Sequence, residues 1–301
     1  MKKIYKHGKL LLTAEYAVLD GARALALPTL KGQKFTINPI DQLDIIIWQA
    51  FDYMNDLWFW AEICTTNWTV IKTSEARHAN RIIQLLKAAK DLNPEFYPQR
   101  SGFKVTTELD FPISWGLGSS STLIAAVADW SENDPHLLSK RSFGGSGYDV
   151  AAASMNGPFV YQLTDDIPKI EATTLNWSFK DQLYLVHRNQ KQNSRESIKY
   201  YRSLSINERW LGQINELTKG FIEARNARDF GDVIRAHESA IALALNLKPV
   251  QQELFPDFKG HIKSLGGWGG DFMLALGSES SPDYFKAKGY PTVVPFKQMV
   301  R

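Results

Sequence analysis

The sequence predicts an α+β protein of two domains, and three observations carry that reading. The chain has 301 residues, about twice the usual length of one domain. Its first quarter is dominated by short runs of β-branched and aromatic side chains, which suit a pleated, half-buried surface. Its second half spaces apolar residues three and four apart over long stretches, which turns one face of a helix toward a core.

In chain order, Leu10-Leu11-Leu12 and Ala24-Leu25-Ala26-Leu27 are apolar runs bounded by turn formers, as buried strands are. Phe35 to Ile40, Leu43 to Trp48, Leu57 to Ile63 and Trp68 to Lys72 follow as strands, with Asn55-Asp56 as a turn. Between Glu75 and Leu92 the positions Ile82, Ile83, Leu85, Leu86, Ala89 and Leu92 recur at helical spacing, and Asn93-Pro94 stops that helix. A strand over Phe103 to Leu109 enters a Gly/Ser loop, and an Ala-rich helix over Leu123 to Trp130 leaves it. A short helix after Asp149 ends at Gly157-Pro158, before a strand at Phe159 to Gln162. Asp165-Asp166-Ile167-Pro168 combines charge with a chain-stiffening proline, and the domain junction is placed there, giving domains 1–165 and 166–301. Beyond it, Gln182 to His187 reads as a strand. Glu208 to Ala227 and Phe230 to Leu247 read as helices, the second stopped by Lys248-Pro249.

Composition narrows the function. Hydrophobic content of 44% with 22% charged residues, 9 Trp and 16 Phe excludes extended disorder. A net charge of +3 with no Lys/Arg block argues against a nucleic-acid surface and suits a small anionic metabolite. The single cysteine, Cys64, cannot form an internal disulfide, and no Cys/His cluster has zinc spacing. No apolar run approaches the length of a membrane span and no signal segment opens the chain, so a cytoplasmic protein without a membrane partner is expected. A homodimer is left open.

Three separated segments can wrap a polyphosphate: Gly8-Lys9 through Glu15, Gly116-Leu117-Gly118-Ser119-Ser120-Ser121, and Gly266-Gly267-Trp268-Gly269-Gly270-Asp271. In the middle one, glycines admit close backbone approach, successive N–H groups form an anion nest, and the following helix start adds a favourable dipole. It lacks the third glycine of the dinucleotide fingerprint and is not a G-x-x-x-x-G-K-S/T loop. The competing reading is a tight strand-to-helix turn with a serine N-cap. A glycine-dense turn before Phe272-Met273-Leu274-Ala275-Leu276 suits a backbone that meets a ligand, or a plain glycine-rich hairpin.

Gly8 to Leu19, then Pro112 to Ser121, then Ser146-Gly147-Tyr148-Asp149-Val150-Ala151, then Gly266 to Asp271 stand in an order that resembles the GHMP kinases. Glu15-Tyr16-Ala17-Val18 and Gly147-Tyr148-Asp149-Val150-Ala151 are closest in form to the phosphomevalonate and mevalonate kinase branch. The resemblance implies an N-terminal domain like ribosomal protein S5 domain 2, with the cradle and acceptor residues, and a ferredoxin-like C-terminal domain with a glycine-rich lid. It implies ATP and Mg²⁺ as cofactors and transfer of phosphate to a small anionic metabolite, mevalonate or phosphomevalonate. A non-catalytic binder and a kinase for another alcohol or sugar are the alternatives.

Phosphoryl transfer needs a phosphate cradle, a cation for the γ-phosphoryl oxygens, and a group that orients the acceptor hydroxyl. By resemblance, Gly116, Leu117, Gly118, Ser119, Ser120 and Ser121 form the cradle, with Ser120 on Mg²⁺, and Gly267, Gly269 and Gly270 close over the nucleotide. Lys9 and Asp149 are the catalytic pair, and Glu15, Tyr16, Ser146, Gly147, Lys191 and Ser194 meet the substrate. The plainer readings are a solvated lysine at 9, a helix N-cap at Asp149 and a solvated polar loop from Lys191 to Arg195. One departure stands out. The family places an acidic metal ligand on a helix before Gly-Tyr-Asp, but the stretch from Asp129 to Lys140 has none at the corresponding place. Glu132 and Asp134 are the substitutes at hand; otherwise Ser120 and the phosphates hold the ion, since Mg²⁺ takes few protein ligands. Ala14 also stands where a glycine is common.

Overall fold

The structure is a computed structural model and describes residues 1–97, 101–190, 194–267 and 271–301. Its contacts divide the chain into two compact units, each built from separate stretches. The first comprises 1–8, 31–113 and 117–154; the second comprises 9–30, 114–116 and 155–301.

The chain begins with β1 (Lys2–Leu11) and β2 (Ala24–Ile40), both of which run through the two units. In the first unit follow β3 (Ile45–Phe51), β4 (Leu57–Cys64), β5 (Thr69–Thr73), α1 (Ala76–Leu92) and β6 (Gly102–Leu109). Strands β5, β4 and β3 pair antiparallel in order. β3 then pairs parallel with β6, and β6 antiparallel with the Gln33 to Ile40 part of β2. The parallel pair requires a crossover, and α1 supplies it. Its apolar stripe of Ile82, Ile83, Leu85, Leu86 and Ala89 is buried on Phe35, Ile46, Trp48 and Phe59. Glu75 caps its first turn, and it ends where Asn93 N–H bonds back to Ala89. The remaining helices of this unit are α2 (Ser119–Ser131), α3 (Pro135–Ser142) and α4 (Tyr148–Ala152). α2 buries Ile124, Val127 and three alanines, Ala125, Ala126 and Ala128.

The second unit contains the Ala24 to Ala26 part of β2, paired antiparallel with β7 (Phe159–Thr164), and β7 paired with β8 (Ile167–Ala172). Asp165 and Asp166, where the sequence places the domain junction, are the turn of that hairpin. Both have positive φ, and the hairpin lies within the second unit. Then come β9 (Leu183–His187), α5 (Ser194–Arg202), α6 (Glu208–Glu223), α7 (Ala227–Leu245), α8 (Val250–Leu254), β10 (His261–Ser264), β11 (Phe272–Leu276), α9 (Ser281–Ala287), β12 (Val293–Pro295) and α10 (Phe296–Met299). β10, β11, β9 and β12 form an antiparallel four-stranded sheet in that order. β9 and β11 are buried along their whole length, which explains their unbroken apolar sequences. Asn207 and Asn226 cap α6 and α7 through their side chains, and Asn246 ends α7 in the left-handed conformation. Phe230 of α7 meets Trp177 and Phe221 of α6 edge to face, with centroids 4.7 Å and 5.1 Å away, and Phe179 at a tilt, 5.0 Å away. Among the described residues no helix is long and apolar enough to cross a membrane.

Candidate active site

In the first unit, the site begins at the start of α2. Gly118, at φ 90°, caps the helix in the left-handed conformation, so the cap is a glycine and not the serine that the sequence offers. Its carbonyl accepts the N–H groups of Ser121 (3.0 Å) and Thr122 (3.0 Å). The N–H groups of Ser119 and Ser120 belong to the helix's first turn, where no intrahelical acceptor exists, and they aim at whatever lies beyond the helix end. Ser120 is exposed, which puts its side chain within reach of a cation or phosphate; Ser121 is buried. A side chain at Gly118 costs about 1–2 kcal/mol in left-handed strain, and a glycine there is what would let a phosphate oxygen come close to those N–H groups. Gly118→Ala is therefore expected to lose most of its ATP affinity by calorimetry while its melting curve shifts only by that small strain. Unchanged affinity in the folded variant would remove the cradle assignment.

Ser121 donates its hydroxyl to Asp149 Oδ2 at 2.6 Å, joining two motifs that are 28 residues apart. Asp149 Oδ1 accepts the N–H of Val150 at 3.0 Å. Asp149 is not the N-cap of α4: Gly147, at φ 84°, holds that place, and Asp149 sits in the first turn, where a negative charge meets the positive end of the helix dipole. Ser146 is half-buried beside it. His136, on α3, feels the charge of Asp149: burial pushes the imidazole below its ordinary value, and the Asp134 and Asp149 carboxylates pull it partly back. No sequence signal pointed to His136. Lys6 is also buried here, with Nζ 2.8 Å from Asp129 and 2.9 Å from Ser154 Oγ. The two substitutes for the missing acid have other positions. Asp134 caps α3, accepting the Leu137 N–H at 2.8 Å, and Glu132 ends α2 at φ 55°.

In the second unit, Lys9 is half-buried near the end of β1. Glu15 and Tyr16, expected at the substrate, are buried. Glu15 receives a hydrogen bond from the Lys263 ammonium, which also lies 3.6 Å from Glu238 Oε1, and His237 Nε2 lies 3.5 Å from Glu15 Oε2. His237 Nε2 accepts the Ala14 N–H at 3.2 Å, and Ser264 N–H donates to Glu238 at 3.0 Å. Burial pushes Glu15 up to about 7 against the pull of Lys263, and burial followed by the Lys263 charge holds His237 well below its ordinary value. Glu15, His237 and Glu238 are close enough to suggest a metal cluster, but the Lys263 ammonium already supplies the cation. Ala14 and Tyr16 flank Glu15 at φ 61° and 60°, costly for residues with side chains. The Tyr16 ring is stacked on Tyr201 at 5.5 Å, and Tyr201 donates to Asp20 at 2.5 Å. These groups support a strained turn five residues after Lys9. A lysine between Ile262 and Ser264 in a buried strand was the signal that could have found Lys263.

The same unit gathers Ser114, Trp115 and Gly116 onto β9 and β11. His187 accepts the Asn189 N–H through Nδ1 (3.2 Å), so its Nε2 carries the proton and donates to the Ser114 carbonyl at 3.1 Å. Trp115 meets Phe272 edge to face at 5.4 Å. Gly116, at φ 64°, lies against the Asp271 carboxylate, and an added Cβ would fall 2.1 Å from Asp271 Cγ. The described glycine of the glycine-rich segment nearest β10, Gly266, donates its N–H to the Leu11 carbonyl at 3.2 Å. Gly267 is half-buried. Lys191, Gly269 and Gly270 lie outside the described residues, as does the side chain of Ser194, the first residue of α5. Each unit offers a hard oxygen of the kind Mg²⁺ takes: in the first, the exposed Ser120 hydroxyl; in the second, Asp271, whose Oδ1 is buried without a hydrogen-bond partner among the described residues.

Comparison with known proteins bears on the fold. Residues 80–133 match the family described as GHMP kinases N terminal domain. The fold is similar to Streptococcus pneumoniae phosphomevalonate kinase in complex with phosphomevalonate and AMPPNP, with TM-score 0.70, 17% identity and 96% of each chain covered. It is similar to Methanococcus jannaschii mevalonate kinase, with TM-score 0.69, 18% identity and 95% and 94% coverage of this chain and that one. It is also similar to Lactococcus lactis galactokinase complexed with galactose, with TM-score 0.66, 13% identity and 97% and 92% coverage. No curated protein sequence matches the chain. The chain thus has the GHMP kinase fold over nearly its whole length.

Proposed function

We propose that this chain, with its GHMP kinase fold, is an ATP-dependent small-molecule kinase whose acceptor is a small anionic alcohol or phosphate, mevalonate or phosphomevalonate first among them. The observation that carries the reading is the Ser121 to Asp149 hydrogen bond, which ties the phosphate-binding helix start to the carboxylate expected at the acceptor. Structures with this fold are kinases of mevalonate, phosphomevalonate and galactose, the range within which the acceptor is sought.

The N–H groups at the start of α2 and the Ser119 and Ser120 hydroxyls bind the phosphates. A divalent cation, held through Ser120, would neutralise charge on the transferred group. Asp149 orients the acceptor hydroxyl and takes its proton as the acceptor oxygen bonds to the γ-phosphorus and the bond to the ADP oxygen breaks. Lys9 stabilises the charge that develops on the phosphoryl oxygens. Ser121 keeps the carboxylate of Asp149 in one rotamer, so the geometry is set before the acceptor arrives.

The second reading, a binder without turnover, is favoured by one observation: Asp134, a substitute for the missing acidic ligand, is spent on capping α3. Lys9→Met separates the two. Under the kinase reading, turnover falls far more than ATP affinity, because the lysine acts on charge that appears only in the transition state. Product is followed by mass spectrometry over mevalonate, phosphomevalonate, sugar and amino-alcohol acceptors, and affinity by calorimetry. A wild type that binds ATP and phosphorylates nothing on that panel would overturn the kinase reading.

A further inference from the structure

We propose that Asp271 is an acidic ligand of the divalent cation that accompanies a bound nucleoside triphosphate, and that residue 116 is glycine so that this carboxylate can lie against the phosphate-binding turn. The inference rests on the nucleotide-binding reading above. It starts from a contact: the Asp271 carboxylate occupies the space a side chain at 116 would need, with Cγ and Oδ2 both 2.1 Å from an added Cβ. Glycine there is a requirement of the neighbour as well as of its own φ of 64°.

The carboxylate is held in that place by its backbone. Asp271 N–H donates to the Gln190 carbonyl at 3.1 Å, and the Asp271 carbonyl accepts the Arg188 N–H at 2.8 Å. The turn is held from its own side, by His187 on Ser114 and by Phe272 on Trp115. Asp271 adopts φ 48°, a left-handed conformation that aspartate and asparagine tolerate better than other side chains.

So placed, Asp271 Oδ1 has no hydrogen-bond partner among the described residues and no contact with solvent. An oxygen of this kind is costly to bury unless something meets it. A triphosphate on the turn would add like charge and raise that cost. A divalent cation reverses the sign, because one ion accepts oxygen from the carboxylate and from the phosphates together. Mg²⁺ binds in this manner, through one or two carboxylates, substrate phosphates and retained waters. An acceptor hydroxyl donating to Oδ1 would satisfy the oxygen but leave the repulsion with the phosphates in place.

The test is the metal dependence of nucleotide affinity in Asp271→Asn. Asparagine keeps the shape and tolerates the backbone angle, so circular dichroism and melting should match the wild type. Calorimetry with the non-hydrolysable analogue AMPPNP, in chelator and in Mg²⁺, gives the gain in affinity due to the metal. Electron paramagnetic resonance of Mn²⁺ gives the ion's own affinity for the nucleotide complex. The variant is expected to bind AMPPNP in chelator at least as well as the wild type. In metal it should lose roughly tenfold or more of the gain and of the Mn²⁺ affinity, the scale on which even outer-shell partners of a metal act. Asp271→Glu, which keeps the charge, should recover part of both. A full metal gain in Asp271→Asn, or a loss confined to acceptor affinity, overturns the proposal and leaves the kinase reading intact. A wild type that does not bind AMPPNP in either condition overturns both.

Discussion

Asp149→Asn is expected to lower turnover by roughly 10²-fold or more, the usual scale for a positioned acid or base, while leaving the fold unchanged. Asparagine keeps one oxygen to accept the Val150 N–H, 3.0 Å from Asp149 Oδ1 in the wild type, and its amide N–H can donate to the Ser121 hydroxyl, which stands 2.6 Å from Oδ2 and turns from donor to acceptor. It loses the charge that favours the start of α4, an effect of about 0.3–1 kcal/mol. Stability and ATP affinity should therefore move little while product formation collapses. His136 supplies a readout that does not depend on activity. The Asp149 charge raises its pKa, so the His136 titration followed by NMR should shift to lower pH in the variant. Wild-type rates combined with that shift would show Asp149 to be correctly placed and chemically idle, and would return it to a helix-supporting role.

Lys263→Met should cost about 3–5 kcal/mol, because it leaves Glu15 and Glu238 buried without their cation. Much of that loss should return in the Glu15→Gln, Lys263→Met double variant, since replacing both members of a buried pair is far cheaper than removing one. A double variant as unstable as the single one would count against the pair as the anchor of the Ala14 to Tyr16 turn. The same cluster sets a pH dependence. Glu15 in the folded protein, at about 7, holds its proton more tightly than the ordinary 4.5, so its contribution favours folding below 4.5 and is lost as pH rises through 7. His237, held neutral, works in the opposite sense as pH falls below its ordinary 6.5. Glu238, raised mainly by burial, adds to the effect of Glu15. Comparing wild type with Glu15→Gln isolates the Glu15 contribution. The stability difference between them should change by about 3 kcal/mol in favour of the variant from acid to slightly alkaline pH. A difference that does not vary with pH would mean that Glu15 keeps one protonation state throughout.

Much of the fold was legible in the sequence because local patterns carry it. The stripe from Ile82 to Leu92, the alternation before it, the runs at Leu183 to His187 and Phe272 to Leu276, and the stops at Asn93-Pro94 and Lys248-Pro249 all appear where their spacing places them. Other segments carry a local signal that is weak or double. Asp165 to Pro168 has the composition of a linker, yet it turns a hairpin, because two adjacent aspartates tolerate positive φ. Residues 194–202 follow a polar run and are helical. The Pro135 to Ser142 helix is short, with a mixed face, and was passed over.

The site divides in the same way. The Gly116 to Ser121 turn was brought forward as an expected phosphate cradle by the order of the motifs, since read by itself it is equally a capped strand-to-helix turn, while the unpaired N–H groups at its helix start follow from helix geometry. The order of motifs likewise brought Lys9 and Asp149 forward. Only the tertiary structure decided that Gly118 is the cap, that Ser121 belongs to Asp149, that Glu15 is buried on Lys263, and that Asp271 rests on Gly116. Each of these is a pairing between residues 28 to 248 positions apart, or a choice among neighbouring residues that packing makes. Propensity and periodicity act over a few residues and determine which elements form. Burial, charge compensation and the fit of one side chain into the space left by another depend on which elements meet, and no local pattern encodes that.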